Sequence, residues 1–208
     1  MKRILSACLL AMLGTCLVSA RDERTSPTTP NVQDAKIPNM MPLAKGTQWH
    51  GEVNIGGMTI ELVQEVTESS KQGNVTKGTI STKVNGQEVN EELSIDEKGI
   101  HRHNISGIKL DKPLLSFKFP IQPQKWTETL NIQGMEVTAK MEMKAGEDVT
   151  VAAGSYKKVI PVEISMTING QDVVATNYYA EGVGIIKQSI DAGGQKITSE
   201  LKKFVPGK

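Results

Sequence analysis

Met135-Glu136-Val137-Thr138-Ala139-Lys140-Met141-Glu142-Met143 decides the fold. Every odd-numbered residue in it is apolar, and every even-numbered one is charged or a threonine. Successive side chains of an extended strand point to opposite faces, so this stretch has one dry face and one wet face. A helix would scatter the same apolar residues around its whole circumference. Strands dry on one side only are the mark of antiparallel sheet packed over a core. The alternation returns in Met58, Ile60, Leu62 and Val66, set against Thr59, Glu61 and Glu65. It returns again in Ile160, Val162, Ile164, Met166 and Ile168, set against Pro161, Glu163, Ser165 and Thr167.

The punctuation between these runs agrees. Asn85-Gly86 and Asn169-Gly170 separate alternating runs. A two-residue hairpin turn of type I′ needs positive φ at both central positions, which Asn-Gly supplies. Gly56-Gly57, Gln133-Gly134, Glu181-Gly182-Val183-Gly184 and Ala192-Gly193-Gly194-Gln195 mark further turns.

The pieces also repeat. Trp49 and Trp126 each begin the pattern W-x4-N-I-x-G-M, ending at Met58 and Met135. Val84-Asn-Gly-Gln-Glu-Val89 then matches Ile168-Asn-Gly-Gln-Asp-Val173, and Gly99-Ile100 matches Gly184-Ile185. The spacing between partners grows along the chain, which places extra residues of the second copy in Gly146 to Lys158. The expected fold is all-β. It is an antiparallel, strongly curved sheet or half-open barrel of about 11–12 strands, built from two sequence-similar halves, 42–119 and 120–205, that share one core. Pro113-Leu-Leu-Ser-Phe-Lys-Phe-Pro120, between the copies, is placed to cross an open end of that sheet.

Residues 1–20 are read as a signal peptide. Lys2-Arg3 precede an apolar run from Ile4 to Val18, and Val18-Ser19-Ala20 puts small residues at a cleavage site. The run is too short to span a membrane. The alternative is acylation of Cys16 within Leu13-Gly-Thr-Cys16, which would anchor the protein. Cys8 and Cys16 are the only cysteines. Cleavage after Ala20 leaves a chain with no disulfide, no thiol nucleophile and no cysteine-bound metal. Residues 21–41 hold Pro27, Pro30 and Pro38 among polar spacers and read as a disordered tail or tether. One β domain follows, 42–205.

The 208-residue chain carries a formal charge of +1, which becomes −1 without Lys2 and Arg3. That near-neutrality argues against nucleic-acid partners. Catalytic motifs are missing: the sequence has neither HExxH nor GxSxG, and Gly182-x-Gly184 lacks the helix of a nucleotide loop. His101 and His103 are read as two solvent-facing histidines and not as metal ligands. Glu88, Glu91, Glu92, Asp96 and Glu97 are read as a solvated strand face. No cofactor, metal or catalytic residue is assigned.

The second copy resembles a broad set of uncharacterised bacterial exported proteins and lipoproteins. The resemblance rests on Ala153-Gly-Ser-Tyr-Lys157 and on Tyr178-Tyr-Ala-Glu-Gly-Val-Gly-Ile-Ile-Lys187. Some relatives of that set are thought to share the incomplete β-barrel of the LolA/LolB lipoprotein carriers. The resemblance implies an extracytoplasmic β-protein, periplasmic or secreted, and no catalytic residue. The carriers close their concave side with helices, and this sequence shows none.

Two functions fit. The first is a non-catalytic envelope protein that holds a lipid or lipoprotein acyl chain in the concave face. Adaptable methionines suit such a face, and the candidate lining is Met58, Leu62, Met135, Met141 and Met143. The second is a structural or interaction module with a filled core, whose partner is another envelope protein.

Overall fold

The computed structural model describes residues 37–208, apart from positions 85, 106, 133 and 169. The expected signal peptide, both cysteines and most of the expected tether lie outside the described residues. Thirteen strands follow one another: β1 (Gln48–Ile55), β2 (Met58–Gln72), β3 (Val75–Val84), β4 (Gln87–Asp96), β5 (Gly99–Ile105), β6 (Ile108–Lys118), β7 (Gln124–Ile132), β8 (Met135–Met143), β9 (Glu147–Val151), β10 (Gly154–Ile168), β11 (Gln171–Ala180), β12 (Gly184–Ala192) and β13 (Gln195–Val205). They form one antiparallel sheet in the order β6-β5-β4-β3-β2-β1-β13-β12-β11-β10-β8-β7, with β9 pairing β10 off this path. The sheet curls into a nearly closed barrel.

The strand beyond the expected number is β9, inside the stretch 146–158 that the repeat spacing singles out. β8 pairs β10 from Val162↔Met143 to Met166↔Ala139, and β9 continues that pairing from Val159↔Glu147 to Gly154↔Val151. In the first half the corresponding strand, β2, runs unbroken through fifteen residues, with a bulge between Val66 and Glu68. Three residues, 144–146, interrupt its counterpart.

Each half is a meander of neighbouring strands, and the halves meet in two different ways. β1 and β13 share a full ladder from Gln48↔Val205 to Ile55↔Ile197. Gly51 sits at the bulge in this ladder. A Cβ there would stand 2.8 Å from the Glu200 carbonyl oxygen, so only glycine lets the strands approach. β6 and β7 lie side by side without a ladder and form a seam. Side chains bridge it instead. The Trp126 indole donates to the Leu115 carbonyl at 2.8 Å, and the Asn131 amide donates to the Asp111 carboxylate at 3.1 Å. Gln124 donates to the Lys118 carbonyl at 3.3 Å, and Lys112 pairs with Glu128 at 3.7 Å.

The odd turns of each meander gather at one end of the barrel, here called the rim. Gly86 and Gly170 there have φ of 77° and 75°, as their Asn-Gly turns require. The other end, the floor, is closed by residues 37–47. Gly182 donates its amide to the Asn39 carbonyl at 2.7 Å, and Val66 donates to Thr47 at 2.9 Å. Met40 and Met41 are 2% and 7% exposed. The folded part therefore starts before residue 42: the tether read over 21–41 does not include residues 37–41, whose methionines insert into the core. Residues 113–118 cross no opening, because they are the second half of β6 and bury Phe117 completely.

Strand phase holds in the interior. Val137, Ala139, Met141, Met143, Val162 and Ile164 are buried, and Ile160, Met166 and Ile168 are half-buried. Met58 and Met135, expected inside, are 65% and 37% exposed. Each opens its strand at the rim, beyond the reach of the core.

Candidate lumenal binding site

The floor half of the barrel is filled. Phe117, Leu93, Ile100, Met141, Met143, Val159 and Tyr179 are all but fully buried there. The rim half is not. A separate small cluster of Val53, Val173, Ile190, Ala192 and Ile197 lines it. Between the two lies a cavity of about 220 Å³, with Met41 and Trp49 at its lower end. The Trp49 ring is held there by its indole N–H, which donates to the Val183 carbonyl at 2.5 Å.

What surrounds this cavity is a row of polar residues in inward positions. Gln64 stands between Leu62 and Val66, Thr82 between Ile80 and Val84, and Glu91 between Val89 and Leu93. Gln188 stands between Ile186 and Ile190, and Ser199 between Ile197 and Leu201. Arg102 follows Ile100 by two residues and completes the set on β5. Period-two geometry aims all six side chains where their apolar neighbours point, into the lumen. Six strands, β5 to β2 on one side of β1 and β13 and β12 on the other, thus each spend an inward position on a polar group, which a filled apolar core would not tolerate without partners.

Five of the six have one. Arg102 Nη1 donates to Glu91 Oε1 in an ion pair between the two strands. Gln64 Nε2 donates to Thr82 Oγ1 at 3.2 Å, and Gln188 Nε2 donates to Asn177 Oδ1 at 2.6 Å. Lys187 and Glu200 pair at 2.9 Å on the neighbouring strands. The Arg102 and Glu91 side chains keep 18% and 17% of their exposure, so the cavity communicates with solvent. Burial works against the Arg102 charge, but Glu91 and the nearby Tyr179 phenol more than offset it and hold the guanidinium above its already high ordinary pKa. Tyr179 itself is 1% exposed, and its hydroxyl lacks a well-formed hydrogen bond. Burial pushes the phenol up, with Arg102 pulling the other way, so it stays neutral.

The two histidines on β5 do not act together. His101 Nε2 lies 3.0 Å from Asp96, while His103 Nε2 lies 2.8 Å from the Ser94 hydroxyl. A register shift between Arg102 and Asn104 separates them. Both are half-buried, which corrects the reading of two solvent-facing rings. Burial works against the Asp96 charge, yet His101 and the Lys98 and Gly99 amides hold its carboxyl below the usual range. Burial, the largest influence on His103, pushes its pKa down. Ser94 and His103 have the spacing of a nucleophile and base, but Ser94 is 7% exposed, and no carboxylate is hydrogen-bonded to that ring among the described residues.

The expected methionine site is not assembled. Met141 and Met143 lie in the filled floor, Met58 and Met135 lie exposed at the rim, and Leu62 alone reaches the cavity. The acidic cluster also divides. Glu88 faces outward, accepting from Ser81 at 2.7 Å, whereas Glu91 points into the lumen. The sequence reading gives Arg102 no role and puts Glu91 on a solvated face, which the structure corrects: Glu91 sits in the apolar phase of its strand, and that misplacement is the signal.

No family model matches this sequence, and no curated protein does. Solved structures do share its fold. One is a protein inferred to be exported, with a YmcC-like fold, from Bacteroides fragilis. It is 12% identical with a TM-score of 0.56, over 81% of this chain and 99% of that one. Another is a protein inferred to be a lipoprotein, from Parabacteroides distasonis. It is 9% identical with a TM-score of 0.54, over 82% of this chain and all of that one. These likenesses span about four fifths of this chain and confirm its fold.

Proposed function

We propose that this chain is an exported, non-catalytic protein of the cell envelope that binds a small, largely apolar ligand in the rim half of its barrel. The cavity ringed by inward polar residues carries this reading. Stability alone favours apolar side chains at those positions, because a buried ion pair rarely outperforms well-packed hydrophobic residues. A site that must hold part of a ligand's polar end has a use for them. The signal-peptide reading of residues 1–20, together with the export and lipoprotein descriptions of the two structural neighbours, supports a location outside the cytoplasm.

Size limits the ligand. Ligand cavities usually span about 300–1,000 Å³, and this one, at about 220 Å³, is smaller. One short aliphatic chain fits that space better than the several acyl chains of a lipoprotein anchor. The filled floor favours a second reading, a barrel that serves only as a structural module. Native mass spectrometry of protein purified from its own envelope separates them. An added mass of roughly one to two hundred daltons that disappears in Leu62→Trp is expected, the size of a single short chain in a cavity below the usual range. A bare polypeptide mass, with no uptake of the neutral dye Nile red, would leave the structural module.

A further inference from the structure

The charges around the cavity cancel. Of the inward polar groups, Arg102 is paired with Glu91, and Gln64, Thr82, Gln188 and Ser199 are neutral; Lys187 and Glu200, in the outward phase beside Gln188 and Ser199, pair with each other. Lipid-binding cavities that select fatty acids need an uncompensated cation for the carboxylate, and here the one guanidinium inside the lumen already has its carboxylate. A second carboxylate entering beside Arg102 would also meet Glu91, and like charges in a space shielded from water repel strongly. An alkylammonium head would meet Arg102 in the same way. A group that is both donor and acceptor, without charge, meets no such opposition. A hydroxyl or a primary amide can donate to a Glu91 oxygen and accept from an Arg102 N–H at the same time.

We propose that the cavity takes an uncharged single-chain amphiphile, a short aliphatic alcohol or amide. Its chain lies against Val53, Leu62, Val89, Ile190 and Ile197, and its head meets the Arg102–Glu91 pair. This deepens the binding reading above and rests on it. Glu91 is then the residue that sets specificity: it turns a site that would otherwise attract anions into one that refuses them.

The test is competition against Nile red bound to the full chain, with octanol, octanoate and octylamine as probes. In the unaltered protein octanol should displace the dye at concentrations at least about tenfold below those of either charged probe, a difference well resolved by titration. Glu91→Gln leaves Arg102 without its counter-charge. It should raise octanoate affinity by about tenfold or more and so narrow or reverse the preference for octanol. A second measurement needs no variant. As pH falls through the carboxyl pKa of octanoate, the neutral acid forms and should compete progressively better, while octanol does not change. Octanoate equal to octanol in the unaltered protein overturns the proposal and leaves the binding reading intact. So does an unchanged preference in folded Glu91→Gln. Dye that binds nowhere in the lumen overturns both.

Discussion

The floor and the rim of this barrel are built from the same strands and packed differently. At the floor, Phe117 lies edge-on to Tyr179 with ring centroids 4.8 Å apart, and to Phe119 at 5.7 Å. Residues 37–47 add Met40, Met41 and Leu43 from outside the sheet. At the rim no aromatic ring enters the lumen cluster, no segment crosses the opening among the described residues, and polar groups interrupt the apolar rows. A wide antiparallel barrel encloses more space than one layer of side chains fills. This chain fills one end with aromatics and a strap and leaves the other end to hydrogen-bonded pairs. Stability is therefore expected to be concentrated at the floor, and ligand sensitivity at the rim.

Met141→Ala tests the floor and should have the largest effect. Met141 is 2% exposed among other core side chains, so truncation should cost about 2–5 kcal/mol in urea unfolding. A cost below about 1 kcal/mol would mean that the hollow extends down to β8. Trp126→Phe should come next, at about 1–3 kcal/mol, because it strands the Leu115 carbonyl at the seam. Ile190→Ala, beside the cavity, should cost less than Met141→Ala, near the lower end of the range for such truncations, about 2 kcal/mol or less. Thermal unfolding of the pair measured side by side would sharpen or abolish the contrast between the ends.

Acid should weaken the protein through β5. His103 has a folded pKa below its unfolded value, so the folded state disfavours its charged form. That contribution is fully present above the unfolded value and is lost as pH falls towards the folded one. Asp96, whose folded pKa is also depressed, loses its contribution in the same direction at lower pH. Unfolding midpoints should therefore drop on acidification below the ordinary histidine range, and His103→Gln should remove the first part of that drop. A His103→Gln profile identical to that of the unaltered protein would sink this assignment. The smallest effect belongs to Met58→Ala at the rim, where a side chain 65% exposed should change stability by about 0.5 kcal/mol or less.

Much of this architecture is legible in the sequence, and the gaps have physical causes. The phase of Val137 to Met143 reads directly, because a strand with one wet face cannot hide its period. The slipping distance between the repeated motifs points to 146–158, the stretch that holds the branch strand β9. Glu91 does not read when charges are counted as a cluster. It reads only when each is placed on its strand's phase, where it interrupts Val89 and Leu93. Arg102 is flanked by two histidines that draw attention to metal chemistry, while its own inward direction follows from Ile100. Residues 37–41 look like the proline-rich segment before them, and only the tertiary structure shows their methionines inserted. The pairing of β1 with β13 leaves no local mark at all, since its two strands are separated by nearly the whole chain.

That last ladder has a topological consequence. The two ends of the described chain meet in the middle of the sheet, with Lys208 donating its amide to the Lys45 carbonyl at 3.3 Å and Gly207 to the Thr47 hydroxyl at 3.1 Å. Residues 119–123, midway through the described residues, connect the two outer strands of the sheet order. A circular permutant that joins Lys208 through a flexible linker to Ile37, keeping the strap, and opens between residues 121 and 122 would cut no strand ladder. Apart from the β9 branch, its strands would follow one another in sequence as they do in space, from β7 through β13 and then β1 through β6. The one pairing that now waits for both ends of the described chain would join strands consecutive in sequence, connected through the strap. Contact order would fall, and folding should quicken accordingly, at an unchanged set of backbone pairings.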